Sequence, residues 1–159
     1  GVWSASFLVH VADGAAQARR EVFIGEAELL ADGRSRGQVL IELSFLQLAG
    51  QGYFDGLTFH RVVPDFVVQT GDPRGDGWGG PGFAMRDEIN RLRFARGAVG
   101  MALSGPDTGG SQFFIALSPQ PHLDGGYTVF GQVEGDDTVL DQIRQEDALI
   151  SIKEVETGE

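Results

Sequence analysis

Glycine punctuates this chain: 24 of its 159 residues are glycine, and they fall between short β-branched or aromatic runs. Such spacing reads as many short strands joined by tight turns. "VFIGEAELLADGRSRGQVLIEL", residues 22–43, predicts a hairpin turning at Asp32-Gly33. Single strands are predicted over "LTFHRV" (57–62), "FVVQT" (66–70), "GAVGMAL" (97–103), "SQFFIAL" (111–117), "YTVFGQV" (127–133) and "ALISIKEV" (148–155). With the hairpin counted as two, eight strands imply an all-β barrel or sandwich. Helical signals are confined to "SFLQLAG" (44–50) and "DDTVLDQI" (136–143), short enough to plug the two ends of a small barrel. Residues 1–20 stand outside this pattern as an N-terminal extension or linker, with an extra strand at "SFLVHV" and a linker at "GAAQARR". The domain proper is expected over 21–159.

At this length one core can be buried without disulfides or a metal to hold it. No apolar run approaches the roughly 20 residues that span a bilayer. The net charge of −11, with Lys153 the only lysine, repels phosphate backbones. The most basic stretch, "RDEINRLRFAR" (86–96), is diluted by Asp87 and Glu88 and reads as a solvated loop. Neither a nucleic-acid nor a membrane partner is expected. There is no cysteine, and His10, His60 and His122 are too scattered for a zinc site, so no metal is expected. The chain opens at Gly1 with no basic, apolar leader, as a processed product or an excised piece would. A cytoplasmic location is expected, with the periplasm or another extracytoplasmic compartment left open.

Three motif matches fail on context. "GRSRG" (33–37) fits a hydrolase nucleophile elbow, but a strand is predicted after it where the elbow needs a helix. "GDGWGG" (75–80) fits G-x-G-x-x-G, but Pro81 and Gly82 prevent the helix that would hold a pyrophosphate. "GPDTGGSQ" (105–112) carries no lysine for a phosphate loop, and Ser111 has no paired base nearby in sequence, so it reads as a strand-entry hydroxyl bonded to backbone.

Three segments survive together: "FHRVVPDFVVQTGDP" (59–73), "GAVGMALSGPDTGGSQFFIAL" (97–117) and "HLDGGYTVFGQV" (122–133). In this order and spacing they resemble the cyclophilin family of peptidyl-prolyl cis-trans isomerases, particularly its bacterial members, over about residues 22–155. The resemblance implies a closed eight-stranded antiparallel β-barrel capped by two short helices, prolyl isomerisation in peptides and unfolded proteins in support of folding, and no cofactor. It implies Arg61 as the catalytic guanidinium and Gln69 as the glutamine that positions it and bonds the substrate backbone. Phe66, Val67, Phe114 and Leu123 would line the proline pocket, with Gln112 a further polar contact. Backbone around Ala102, Leu103 and Ser104 would pair with an extended peptide, and Gly77 and Gly105 would let loop backbone approach closely. By strand alternation Phe113 would turn into the core.

The departures matter too. Val67 replaces a pocket methionine, and Leu103 a common asparagine. Tyr127 replaces a site histidine and keeps an aromatic contact. Trp78 stands at a threonine position and adds a hydrophobic lip. His122 stands where many eukaryotic members carry a tryptophan that binds cyclosporin, so weak cyclosporin binding is expected, in a monomer. Set against the family, about ten residues are absent between Leu43 and Ser44, where a turn, a proline and most of a helix would stand; helices average about 11 to 12 residues. Either the deletion is real and leaves one barrel end uncovered, or a segment is missing from the chain. The rival to catalysis is a module of the same fold that grips proline-containing segments without turnover. A serine hydrolase built on Ser111 is a remote third.

Overall fold

The computed structural model describes residues 6–12, 19–26 and 38–155. Nine strands form one antiparallel sheet: β1 (Ser6–Ala12), β2 (Arg19–Glu26), β3 (Leu57–Thr58), β4 (Arg61–Val63), β5 (Val67–Thr70), β6 (Ala98–Met101), β7 (Phe113–Ala116), β8 (Val129–Glu134) and β9 (Ala148–Val155). Their order is β3-β9-β1-β2-β8-β6-β7-β5-β4. The predicted strands at 66–70, 97–103, 111–117, 127–133 and 148–155 all appear, the last with its predicted bounds and the others displaced at one or both ends by one or two residues.

Residues 6–12 are drawn in from the segment the sequence sets apart, and lie between β9 and β2. Phe7, Val9 and Val11 of β1 are buried while Leu8 and His10 are less so, the two-residue period of a strand with one face on a core. The boundary expected at residue 20 falls inside β2.

The second arm of the predicted 22–43 hairpin does not form. Gln38–Gly50 is a single 13-residue helix, α1, that runs through Leu43 and Ser44 without a break. A short apolar run such as "QVLIEL" cannot by itself be told from a strand, and packing arbitrates. Both flanks of β2 are already taken, by β1 and β8. In α1 Ile41, Phe45, Leu48 and Ala49 are buried at helical spacing. The Phe45 ring meets those of Phe7, Phe54, Phe113 and Phe130 at centroid distances of 4.8–5.4 Å. The end of the sheet that a deletion would have uncovered is therefore covered. The glycine turn at 33–37 lies outside the described residues.

The second predicted helix is a single 3-10 turn, Thr138–Gln142, so the described chain carries one α-helix. Asp136, one residue ahead of its N-cap Asp137, accepts from the Thr138 N–H at 3.0 Å and hydroxyl at 2.7 Å, and Leu140 and Ile143 point inward.

The predicted strand 57–62 is interrupted. Phe59 turns into the core between β3 and β4, its N–H donating to Asp147 O at 2.9 Å and its carbonyl accepting from Glu146 N at 3.0 Å. That break carries the chain from one end of the strand order to the other. The Thr70 hydroxyl of β5 donates to the Thr58 carbonyl of β3 at 2.9 Å, so the two ends of the sheet curl toward each other.

Candidate active site

Strand register lays the site out. Across β4, β5, β7 and β6 the directly opposed residues are Arg61, Gln69, Phe114 and Gly100. Opposed residues point to the same face of a sheet, so these four form a row. Their neighbours along each strand, Val62, Val68, Ile115 and Val99, alternate to the other face and join the main core. Phe113 lies in that core too, as alternation predicts, while Phe114 belongs to a second, smaller cluster with Val67, Phe94, Ala98, Leu123 and Val129. The functional face is thus the outer face of the sheet, over its own small hydrophobic cluster.

That cluster floors a cleft of about 120 Å³ lined by Arg61, Phe66, Val67, Gln69, Ala102, Leu103, Phe114, Leu123 and Tyr127. Phe66 reaches it from the Pro64-Asp65 turn, where Asp65 takes a left-handed φ of 59° and Phe66 N bonds Val63 O at 3.1 Å. The turn is held because the Asp65 carbonyl accepts from Ser118 Oγ at 2.5 Å and Gln120 Nε2 at 2.9 Å. Arg61 is exposed, but its guanidinium lies 5.6 Å over the Phe66 ring and donates to Gln69 Oε1 at 3.4 Å. The cleft therefore has an apolar floor with a fixed, permanently charged donor at its mouth.

A second cleft, of about 220 Å³, continues from the first beyond Gln69, Ala102 and Leu103. Gly77, Ser104 and Gln112 line it, together with Trp78, which is 77% exposed and forms its rim as the sequence suggests. Gly77 and Gly105 take φ of 90° and 136°, conformations that suit glycine. Between the two clefts, Ala102 N bonds Gln112 O at 3.0 Å and Ser104 N bonds the Thr108 hydroxyl at 2.8 Å. Among the described residues, the backbone N–H and carbonyl of Leu103 between them have no partner.

All thirteen sequence-predicted site residues come together on this face. His122 is the one that lines neither cleft: it stacks on Phe66 at 5.6 Å and buttresses the rim from outside. Ser111 behaves as the backbone-bonded hydroxyl expected of it, donating to Gly71 O at 2.6 Å and lying 3.0 Å from the Tyr53 hydroxyl, with no histidine bonded to it among the described residues.

Sequence reasoning missed Phe94. It lies in the stretch read as a solvated loop, yet it is buried and stacks on Phe114 at 5.3 Å. Its N–H is tied to Asp124 Oδ1 at 2.8 Å and its carbonyl accepts from Gln120 N at 2.7 Å. The one signal available was an aromatic residue inside a loop rich in charge. Asp72 was also missed as more than part of a motif. Its buried carboxylate accepts from the N–H groups of Arg74, Asp76 and Gly77 at 2.8, 3.1 and 2.5 Å. Burial opposes its charge, but the surrounding backbone N–H groups together outweigh that and hold its carboxyl below the usual aspartate range.

Comparison with known proteins agrees with this geometry. The profile of the cyclophilin type peptidyl-prolyl cis-trans isomerase family matches residues 41–157. A peptidyl-prolyl cis-trans isomerase of Synechococcus elongatus is 49% identical over 112 residues, covering 69% of this chain and 77% of that protein. Peptidyl-prolyl cis-trans isomerase B of Bacillus subtilis is 55% identical over 92 residues, 57% of this chain and 64% of that one. Among solved structures, a cyclophilin type peptidyl-prolyl cis-trans isomerase of Cryptosporidium parvum superposes with a TM-score of 0.82 at 26% identity, covering 98% of this chain and all of that one. The same parasite enzyme in the presence of the dipeptide Ala-Pro gives 0.74 at 28% identity, covering 91% of this chain and 96% of that one. The mostly-β architecture with one helix is the cyclophilin fold, and the chain belongs to the cyclophilin-type peptidyl-prolyl cis-trans isomerases, enzymes that turn prolyl peptide bonds between cis and trans.

Proposed function

We propose that this isomerase acts through Arg61 on a prolyl ring seated in the Phe66–Phe114–Leu123 cleft. Rotation about a prolyl amide faces a barrier of about 18–20 kcal/mol because the nitrogen lone pair is delocalised into the carbonyl. Localising that lone pair lowers the barrier with no bond broken. A guanidinium beside the ring can do this by donating toward the prolyl nitrogen while another of its N–H groups holds the proline residue's own carbonyl oxygen, and at neutral pH it needs no proton transfer to be ready. Val67, Phe114 and Leu123 supply the apolar wall for the ring, and Tyr127 and Ala102 close it.

The unpartnered Leu103 backbone lies on the path of an extended substrate and suits pairing with it as an added strand, flanked by Ala102 and Ser104. Gln69 and Gln112 are read as substrate-facing amides. The substrate class is then proline-containing peptides and unfolded polypeptides, engaged without a cofactor, by a monomer. The net charge of −11 speaks against nucleic acid as a client. His122, packed on Phe66 with no indole to offer, supports weak cyclosporin binding. The curled sheet is read as a closed barrel, a reading supported by the Thr70–Thr58 hydrogen bond between its two ends.

The observation that carries the proposal is the Arg61 guanidinium, fixed by Gln69 and the Phe66 ring at the mouth of an apolar cleft. Magnetisation-exchange NMR on a short proline peptide tests it. Acceleration by the wild type that is lost in Arg61→Ala is expected. Tight peptide binding with only the uncatalysed exchange rate would instead make the protein a proline-segment binder.

A further inference from the structure

Asp72 lies outside both clefts, yet a hydrogen-bonded row runs from it to Arg61. Its carboxylate gathers the N–H groups of Arg74, Asp76 and Gly77 and so folds the 74–79 loop around itself. The fit is close, since a Cβ at Gly79 would overlap the Asp72 carboxylate. Folded this way, the loop aims two carbonyls at one amide: Gln112 Nε2 donates to Gly77 O at 3.0 Å and to Gly79 O at 2.9 Å. Gln112 Oε1 then accepts from Gln69 Nε2 at 3.0 Å, and Gln69 Oε1 accepts from Arg61 Nη1.

We propose that Asp72 is a positioning residue for Arg61, acting through the 74–79 loop and the amides of Gln112 and Gln69. The direction of the row follows from its two ends. A guanidinium only donates and a peptide carbonyl only accepts, so two amides placed between them have one orientation that satisfies every contact. With the carbonyls of Gly77 and Gly79 in place, the Gln112 NH₂ must face the loop, the Gln69 NH₂ must face Gln112, and an oxygen is left for Arg61. If the loop drifts, Gln112 is free to turn over, Gln69 follows, and an NH₂ then meets the guanidinium donor to donor. The guanidinium would leave its place over the cleft. Asp72 holds the loop against that, and the row carries its effect from the loop past the start of β7 and across β5 to β4.

The role rests on the reading of Arg61 as the catalytic group, and the experiment separates the two. kcat/KM on a short proline peptide is measured for wild type, Asp72→Asn, Gln112→Ala, the double variant and Arg61→Ala, with thermal melts confirming that each is folded. Asparagine turns one carboxylate acceptor into a donor facing the loop N–H groups. The expected result is a fall of about tenfold or more in kcat/KM, carried by kcat, because a misplacement of about 1 Å can cost about a hundredfold. In the double variant the row is already cut at Gln112, so Asp72→Asn should add no further loss. Wild-type kcat/KM in folded Asp72→Asn, or losses that multiply in the double variant, would overturn the positioning role. Should Asp72→Asn not fold, Gly79→Ala displaces the same carboxylate and is judged by the same two outcomes. An unimpaired Arg61→Ala would instead remove the catalytic reading on which the role depends.

Discussion

Arg61 and Lys would carry the same charge at this position, but they would not do the same work. The guanidinium offers several donors in one plane and a flat face to lie over Phe66, whereas an ammonium is a compact point charge. Arg61→Ala should lower kcat/KM by about 10²–10³-fold, the usual loss when a donor aimed at developing charge is removed, with KM little changed. Arg61→Lys should recover little of that loss, and exchange NMR under saturating peptide reads both. Gly100 makes a related point about absence. It stands in the Arg61–Gln69–Phe114 row, and a Cβ there would come within 2.6 Å of the rings of both Phe114 and Phe94. Gly100→Ala should push the stacked pair apart, destabilise the fold by about 1–3 kcal/mol and raise KM for proline peptides. Urea unfolding and steady-state kinetics check the two effects separately.

At the scale of elements, α1 is the packing hub. Phe45 alone contacts rings from β1, β7, β8 and the Phe54 turn, which ties the helix to strands far apart in sequence. Phe45→Ala should cost about 3–5 kcal/mol. Its effect should be confined to stability, because the site cluster around Phe114 lies on the other face of the sheet. A melt shifted far down with unchanged kcat/KM well below the transition is the expected outcome. The short strands β4 and β5 have the opposite character: few residues, each with a paired role, core on one face and cleft on the other.

Across the whole molecule, stability should depend on acid through Asp72. Its carboxyl is held below the usual range in the folded chain and returns to that range on unfolding, so the unfolded state takes up the proton first. The stabilisation is complete above the ordinary aspartate value and is lost as pH falls through the depressed folded value. Asp72→Asn should therefore be less stable than wild type at neutral pH and should lose less on acidification through that window. Urea melts down through the aspartate range would show the two curves converging, and parallel curves would contradict it.

How far the sequence could be read follows from how local each signal is. Strands β5 to β9 were legible because alternation and turn glycines act over a few residues, and the site could be listed because most of its residues fall in three segments whose order and spacing are those of the family. The helical fate of "QVLIEL" was not legible, since a short apolar run suits either period and only the occupied flanks of β2 exclude the strand. Phe94 was hidden for a similar reason, because its burial depends on Phe114 and Tyr127, which lie about 20 to 30 residues away in sequence. By itself the sequence determined which side chains to expect at the site and in what order along the chain they come. Tertiary structure alone decided what orients them, because the row from Asp72 to Arg61 joins residues from loops and two strands, and hydrogen bonds across such distances leave no periodic trace in the chain.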